Sequence, residues 1–176
     1  GSNIWERPVY FATTCQNSKL LGINDYMQYE GLALRIVPIK TTSNTAWSIY
    51  GSGRVSTDKA YDNIMNKFHW GNFDKKELHI DNSFAAAVQS HRMIFMRAGE
   101  TLIKEGQTQK AVELTNKFFE VFPNYNFPYE GTVASLISIL IQGGDLGNAK
   151  KHLKILAQQT EDYLSFYESI DQSTIN

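Results

Sequence analysis

His69 and His79, with Asp74 and Glu77 between them, are residue types that can hold a divalent metal. Neither pair sits at the i, i+4 spacing of a zincin or at any other recognised ligand spacing. His91 lies near an apolar stripe and reads as a core or boundary residue, whereas His152 reads as solvated. Gly51-Ser52-Gly53-Arg54 offers the parts of an anion-binding turn, backbone N–H groups to cradle a phosphate and an arginine to clamp it. It lacks the lysine and length of a Walker loop and the third glycine of a dinucleotide fingerprint, and a flexible turn accounts for it. Cys15, the only cysteine, has no histidine nearby in sequence to activate it, and no Gly-x-Ser-x-Gly elbow is present. One thiol also excludes an intrachain disulfide and a cysteine-based zinc site. Glu30, Asp58 and Asp62 fall in segments expected to pack together, but a helix start and a solvated face explain the two aspartates. No catalytic residue, metal ligand or cofactor is assigned.

Trp47, Tyr50, Tyr61 and Trp70 concentrate aromatic surface in the middle of the chain. With Arg54 they could line a carbohydrate or peptide groove; equally, a small α+β core needs large aromatics. These five are the candidate binding residues, and both readings stand.

The elements that must position them divide at about residue 82. Arg7–Thr14 is β-branched and aromatic and predicts a strand. Asn17, Ser18 and Gly22 form a loop, and Asn24 or Asp25 can cap a helical turn carrying Tyr26, Met27 and Tyr29. Leu32–Ile39 alternates as a second strand, Ala46–Tyr50 as a weaker third. A helix from Ser56 or Thr57 to Phe68 buries Ala60, Ile64, Met65 and Phe68. Residues 1–82 thus form a small α+β unit.

Residues 83–176 predict two antiparallel helical hairpins. Ser83 caps the first helix, with Phe84, Val88, Phe95, Ala98 and Leu102 as its stripe; Gly106 turns the corner; Ala111, Thr115, Phe118 and Phe122 face back; Pro123 ends the pair. Pro128 opens a third helix burying Val133, Leu136, Ile137, Leu140 and Ile141, closed by Gly143-Gly144. Asp145 caps a long fourth, with Ala149, Leu153 and Leu156 inward, running on to Ile170. Gly144 comes 38 residues after Gly106, as Ala149 does after Ala111, a period typical of stacked helical hairpins. Two hairpins are few for such an array, so the α+β unit should pack on the first and the last helix should cap the other end. The fold class is α+β, mostly α, with tetratricopeptide-like hairpins.

The 176 residues carry 17 Lys+Arg against 18 Asp+Glu, a net charge of −1 with the signs scattered. That is not the concentrated positive face of a nucleic-acid binder. No apolar run approaches the roughly 20 residues of a membrane span. Gly1 and Ser2 read as a cloning or protease scar, and the remainder of the chain reads as part of a longer protein.

Three blocks occur together in order: Glu6-Arg7-Pro8-Val9-Tyr10-Phe11-Ala12; Tyr29 through Pro38; and Gly53-Arg54-Val55, Tyr61-Asp62-Asn63 and Phe68-His69-Trp70-Gly71. As a set they resemble the C-terminal region of a bacterial family of multi-spanning, protein O-mannosyltransferase-like membrane proteins, glycosyltransferase family 117. The resemblance covers nearly the whole chain, since that region also ends in tetratricopeptide-like hairpins. It implies a parent with a membrane-embedded lipid-linked-sugar transferase module, with this domain after it on the periplasmic face of the inner membrane. The catalytic acid would lie in that module, and no catalytic position carries over.

The leading expectation is a non-catalytic periplasmic domain that contacts its own membrane module or an acceptor protein. The alternatives are a stand-alone hairpin-repeat adaptor for a peptide or protein, and a carbohydrate-binding module using Trp47, Tyr50 and Trp70.

Overall fold

The computed structural model describes residues 7–15 and 21–170; the loop residues Asn17 and Ser18 and the opening Gly1-Ser2 lie outside them. A small four-stranded mixed sheet comes first and the helices after it, so the fold is α+β and mostly α. The strands are β1 (Tyr10–Ala12), β2 (Met27–Tyr29), β3 (Ala33–Ile36) and β4 (Arg54–Val55). They lie in the order β1-β3-β2-β4, with β3 antiparallel to both neighbours and β4 parallel to β2. One face is apolar: Met27, Tyr29 and Leu34 are buried, as strand alternation requires. The other face carries Tyr10, Gln28, Glu30 and Arg35.

Two expectations for this half are corrected. Only Asn24–Tyr26 is helical, a 3-10 turn, and Met27–Tyr29 is β2, one of the two inner strands. Ala46–Tyr50 is no strand but part of a 3-10 segment, Thr45–Gly51, started by the Asn44 side chain accepting from the Ala46 N–H. The alternation there is too weak to outweigh the Asn cap. The remaining strand, β4, begins directly after Gly53. A Cβ at Gly53 would stand 1.9 Å from the Met27 carbonyl oxygen and its φ is +54°, so only glycine lets the chain pass this close to β2.

Helix α1 (Thr57–Asp62) continues through a π turn, Asn63–Lys67, and buries Ala60 and Ile64 as expected. The long helices are α2 (Ala85–Lys104), α3 (Thr108–Val121), α4 (Val133–Gln142) and α5 (Leu146–Ser169). The α2–α3 and α4–α5 corners match bond for bond. Gly106 and Gly144 have φ of +75° and +83°. The Gln107 N–H donates to the Leu102 carbonyl at 2.8 Å, and the Asp145 N–H to the Leu140 carbonyl at 2.9 Å, closing orphan helix-end carbonyls in each case. Ala111 and Ala149 are both buried one turn beyond. Helix α4 packs against α2 and α3 as well as α5, burying Val133, Leu136, Ile137, Ile139 and Leu140. Each such side chain contributes about 1.5–3 kcal/mol relative to exposure.

Several helical details differ from expectation. Ser83 does not cap α2: its N–H donates to Asp81 Oδ1, and Phe84, which begins no stripe, is 59% exposed. Helix α4 starts at Val133, five residues beyond Pro128, because Pro128–Thr132 is taken up in contacts with neighbouring elements. Ile141 is half-exposed and Ile139 takes its place inside. Leu153 faces outward, and His152 is buried rather than solvated. Its ring stacks on Phe119 with centroids 3.7 Å apart, and its Nδ1 lies 2.7 Å from the Tyr129 hydroxyl. Asp145 does cap α5, accepting from the Asn148 N–H at 3.1 Å.

The sheet and α1 are fastened to the first hairpin by polar contacts on all sides. Tyr29 donates to the Ile94 carbonyl, Tyr50 to Ser90 Oγ and Thr57 to Glu105, at 3.0, 2.7 and 2.7 Å.

Candidate functional site

The five candidate binding residues go to separate places. Trp70 sits in an aromatic cluster with Phe68, His91, Phe95 and Phe122, and its indole N–H donates to the Ile64 carbonyl at 3.1 Å. Tyr61 reaches across to α3, donating to Glu113 with the Lys110 ammonium 5.5 Å above its ring. Burial and the Glu113 carboxylate push the Tyr61 phenol up to about 12. Tyr50 is engaged with Ser90, and Arg54 is exposed on the edge strand β4. Trp47 alone lines a cleft, one of about 270 Å³ between residues 42–55 and α2.

The glycine turn beside Trp47 does the opposite of cradling an anion. The Ser52 and Gly53 carbonyls both accept from Arg97 Nη2, at 2.7 and 2.9 Å, so the turn presents oxygen to a cation. Arg97 lies in the middle of α2 with 7% of its surface accessible, and it forms a wall of the same cleft.

A second, larger cleft is almost wholly apolar. It has a volume of about 500 Å³ and lies between residues 73–84, the start of α2 and the α3–α4 connection. Phe73, Leu78, Ile80, Phe84, Phe122 and Phe127 line it, with Leu78 and Phe84 42% and 59% exposed. Asn126 pins the segment that forms its far wall: its amide donates to the Phe73 and Lys76 carbonyls at 2.6 and 2.7 Å and accepts from the Leu78 N–H at 2.7 Å. His91 closes the floor, its Nδ1 donating to the Ala87 carbonyl at 2.6 Å. Burial holds the His91 imidazole below its ordinary range, so at neutral pH it is an uncharged wall. A more polar cleft of about 160 Å³ adjoins it, sharing Ile80, Val88 and Phe127, with Arg92 bonded to Glu130 Oε2 at 2.7 Å. Tyr163 of α5 reaches this smaller cleft, and beyond it Leu164, Phe166 and Tyr167 are all more than half exposed.

The carboxylates expected near one another do not converge. Asp58 pairs with Lys110 at 3.1 Å and Asp62 with Lys67 at 2.5 Å. Glu30 is buried under the sheet, where it accepts from Gln28 and Lys59 at 2.7 and 3.0 Å. Burial raises its carboxyl, but hydrogen bonds from Gln28, Lys59 and Tyr10 outweigh that and leave it below the ordinary range. An anchored, ionised Glu30 suits a structural counter-ion better than a general acid. Among the described residues no group of three or more His, Cys, Asp or Glu could hold a metal ion, and His69 and His79 are both exposed. Among them, too, no helix is long and apolar enough to cross a membrane.

Sequence reasoning missed the apolar cleft and the part Arg97 plays in the cleft that Trp47 lines. Leu78 and Ile80 sit in a charged connection without periodicity, so nothing marks them as a wall. Arg97 does leave a signal. It interrupts the run Met93-Ile94-Phe95-Met96 and continues with Ala98, at a helical phase that must face inward.

Residues 1–59 match the family model described as TMEM260-associated domain 2. The match spans all four strands and the first turn of α1, about a third of the chain. That part of the molecule is similar to a membrane-protein-associated domain. No curated protein and no solved structure matches the chain.

Proposed function

We propose that this chain is a non-catalytic interaction domain of a larger, membrane-anchored, glycosyltransferase-like protein, on the periplasmic side, which docks on that protein's own membrane module or positions an acceptor protein. The observation that carries this is the 500 Å³ apolar cleft with exposed Leu78 and Phe84 on its rim. Apolar surface of this kind, on a segment that also carries Asp74, Lys75, Lys76, Glu77 and Asp81, is what a protein partner covers. Two features support it. The paired corners at Gly106 and Gly144 suit tetratricopeptide-like hairpins, which present surfaces to partners. The similarity of the sheet to a TMEM260-associated domain suits a membrane-bound parent.

Photo-crosslinking tests this in the parent protein in its membrane. A photoreactive residue in place of Phe84 should capture the parent's membrane module or an acceptor polypeptide, and Leu78→Asp should abolish the capture while leaving the fold intact. Transfer or hydrolysis of a sugar from a nucleotide- or lipid-linked donor by the isolated chain would overturn the reading.

A further inference from the structure

Helix α5 is 24 residues long, yet only Ala149 and His152 within it are buried. Helices in folded proteins draw most of their stability from a packed apolar face, and α5 leaves such a face open. Lys150, Leu153, Ala157, Thr160, Leu164 and Tyr167 follow one another at alternating steps of three and four residues, and all six are exposed. That is the heptad spacing of a coiled-coil seam, with Lys150, Ala157 and Leu164 at one core position and Leu153, Thr160 and Tyr167 at the other. The seam runs for about 25 Å along the helix.

Lys154, Glu161 and Glu168 flank this seam on one side, seven residues apart. Nothing within α5 accounts for their order. Opposite charges support a helix at spacings of three or four, but Lys154 has Lys150 and Lys151 at those spacings before it, and Glu161 has no lysine or arginine at either spacing. Glu168 stands in the last turn, where the macrodipole disfavours a carboxylate. None of the three is in an ion pair among the described residues.

A reversed copy of the same helix supplies the missing partners. With a two-fold axis between Gln158 and Gln159, Leu153 meets the partner's Leu164, Ala157 meets the partner's Thr160, and Lys150 lies along the partner's Tyr167. Lys154 then faces the partner's Glu161 on both sides of the axis. A slide of one heptad either way sets Lys154 against the partner's Lys154, or Glu161 against the partner's Glu161. A parallel pair brings like residues to the same level. Charge therefore selects one direction and one register.

We propose that α5 is a self-association surface through which two copies of this chain pair antiparallel, making the Leu153–Leu164 contact and the Lys154–Glu161 ion pair twice. The seam is distinct from the apolar cleft bounded by Leu78 and Phe84, and the proposal does not depend on the docking reading.

Sedimentation equilibrium of the 176-residue chain tests this. A monomer–dimer equilibrium should appear with a midpoint between about 1 and 100 µM. Leu164→Asp, which alters an exposed side chain, should leave monomer throughout. Lys154→Glu and Glu161→Lys should each weaken the dimer roughly five- to thirtyfold, because each turns two ion pairs into two like-charge contacts. Mixed one to one, these two variants should pair with each other about as tightly as the unchanged chain pairs with itself, since one brings two glutamates to the contact and the other two lysines. That recovery also shows that both variants are folded. A chain that stays monomeric up to about 100 µM, a dimer that survives Leu164→Asp, or a mixture no tighter than its components would each overturn the proposal.

Discussion

His152 is buried on α5, against Phe119 of α3 and the ring of Tyr129. Burial against Phe119 and Tyr129, then the positive charge of Lys151, push its imidazole down to about 4, against a smaller opposite pull from Asp145. The phenol of Tyr129 is itself pushed up by burial and keeps its proton, so it donates to Nδ1 of the neutral ring. The unfolded chain, with an ordinary histidine near 6.5, binds a proton that the folded chain refuses. Stability supplied by this group is therefore complete above about pH 6.5 and is lost as the pH falls towards 4, by an amount of order 1–3 kcal/mol. His91, also held down by burial, acts in the same direction. Urea midpoints measured across this range should fall with acidity. An NMR titration should find the His152 ring still neutral at pH 5; an ordinary titration of that ring would contradict the account.

At the level of elements, the two glycine corners make a matched pair of predictions. A Cβ at Gly106 or Gly144 would meet nothing within 4 Å, so an alanine there suffers only from the left-handed backbone. Gly106→Ala and Gly144→Ala should each destabilise by about 1–2 kcal/mol and add in the double variant. Gly143 is different: a Cβ there would fall 2.2 Å from Val112 Cγ2, and the branched valine is stiff, so Gly143→Ala should disturb the α3–α4 contact by about 1–3 kcal/mol. Chemical denaturation of the four variants checks both. These corners are legible in the sequence because glycine, a buried alanine and a capping aspartate are local signals. Strand β2 is not. Met27–Tyr29 is three residues long and comes directly after a helical turn, so nothing local distinguishes it, and its strand state is imposed by pairing with Leu34–Ile36 and Arg54–Val55. Pro128 looks like a helix start because proline suits that position, but Arg92 Nη2 donates to the Pro128 carbonyl at 2.6 Å, and the Gln159 side chain accepts from the Tyr129 N–H at 2.9 Å. Those long-range contacts hold the segment out of the helix until Val133. Trp47, Tyr50, Tyr61 and Trp70 are close in sequence, yet Tyr50, Tyr61 and Trp70 bond to different neighbours and Trp47 lines a cleft with none of them.

At the scale of the whole molecule, sheet and hairpins leave a long apolar recess on one side and a small charged one on another. The large recess is bounded by Leu78 and Phe84 and adjoins the cleft that Tyr163 reaches, so the outer half of α5 and residues 73–91 offer neighbouring apolar surface. Contiguous apolar surface of this kind is what a partner covers. The most direct measurement compares hydrogen exchange in the proposed membrane-anchored parent with that in this chain alone. The account predicts slower exchange in the parent for the amides of residues 78–91, with the sheet amides of β2 and β3 unchanged. Equal exchange across residues 78–91 in the two samples would contradict it.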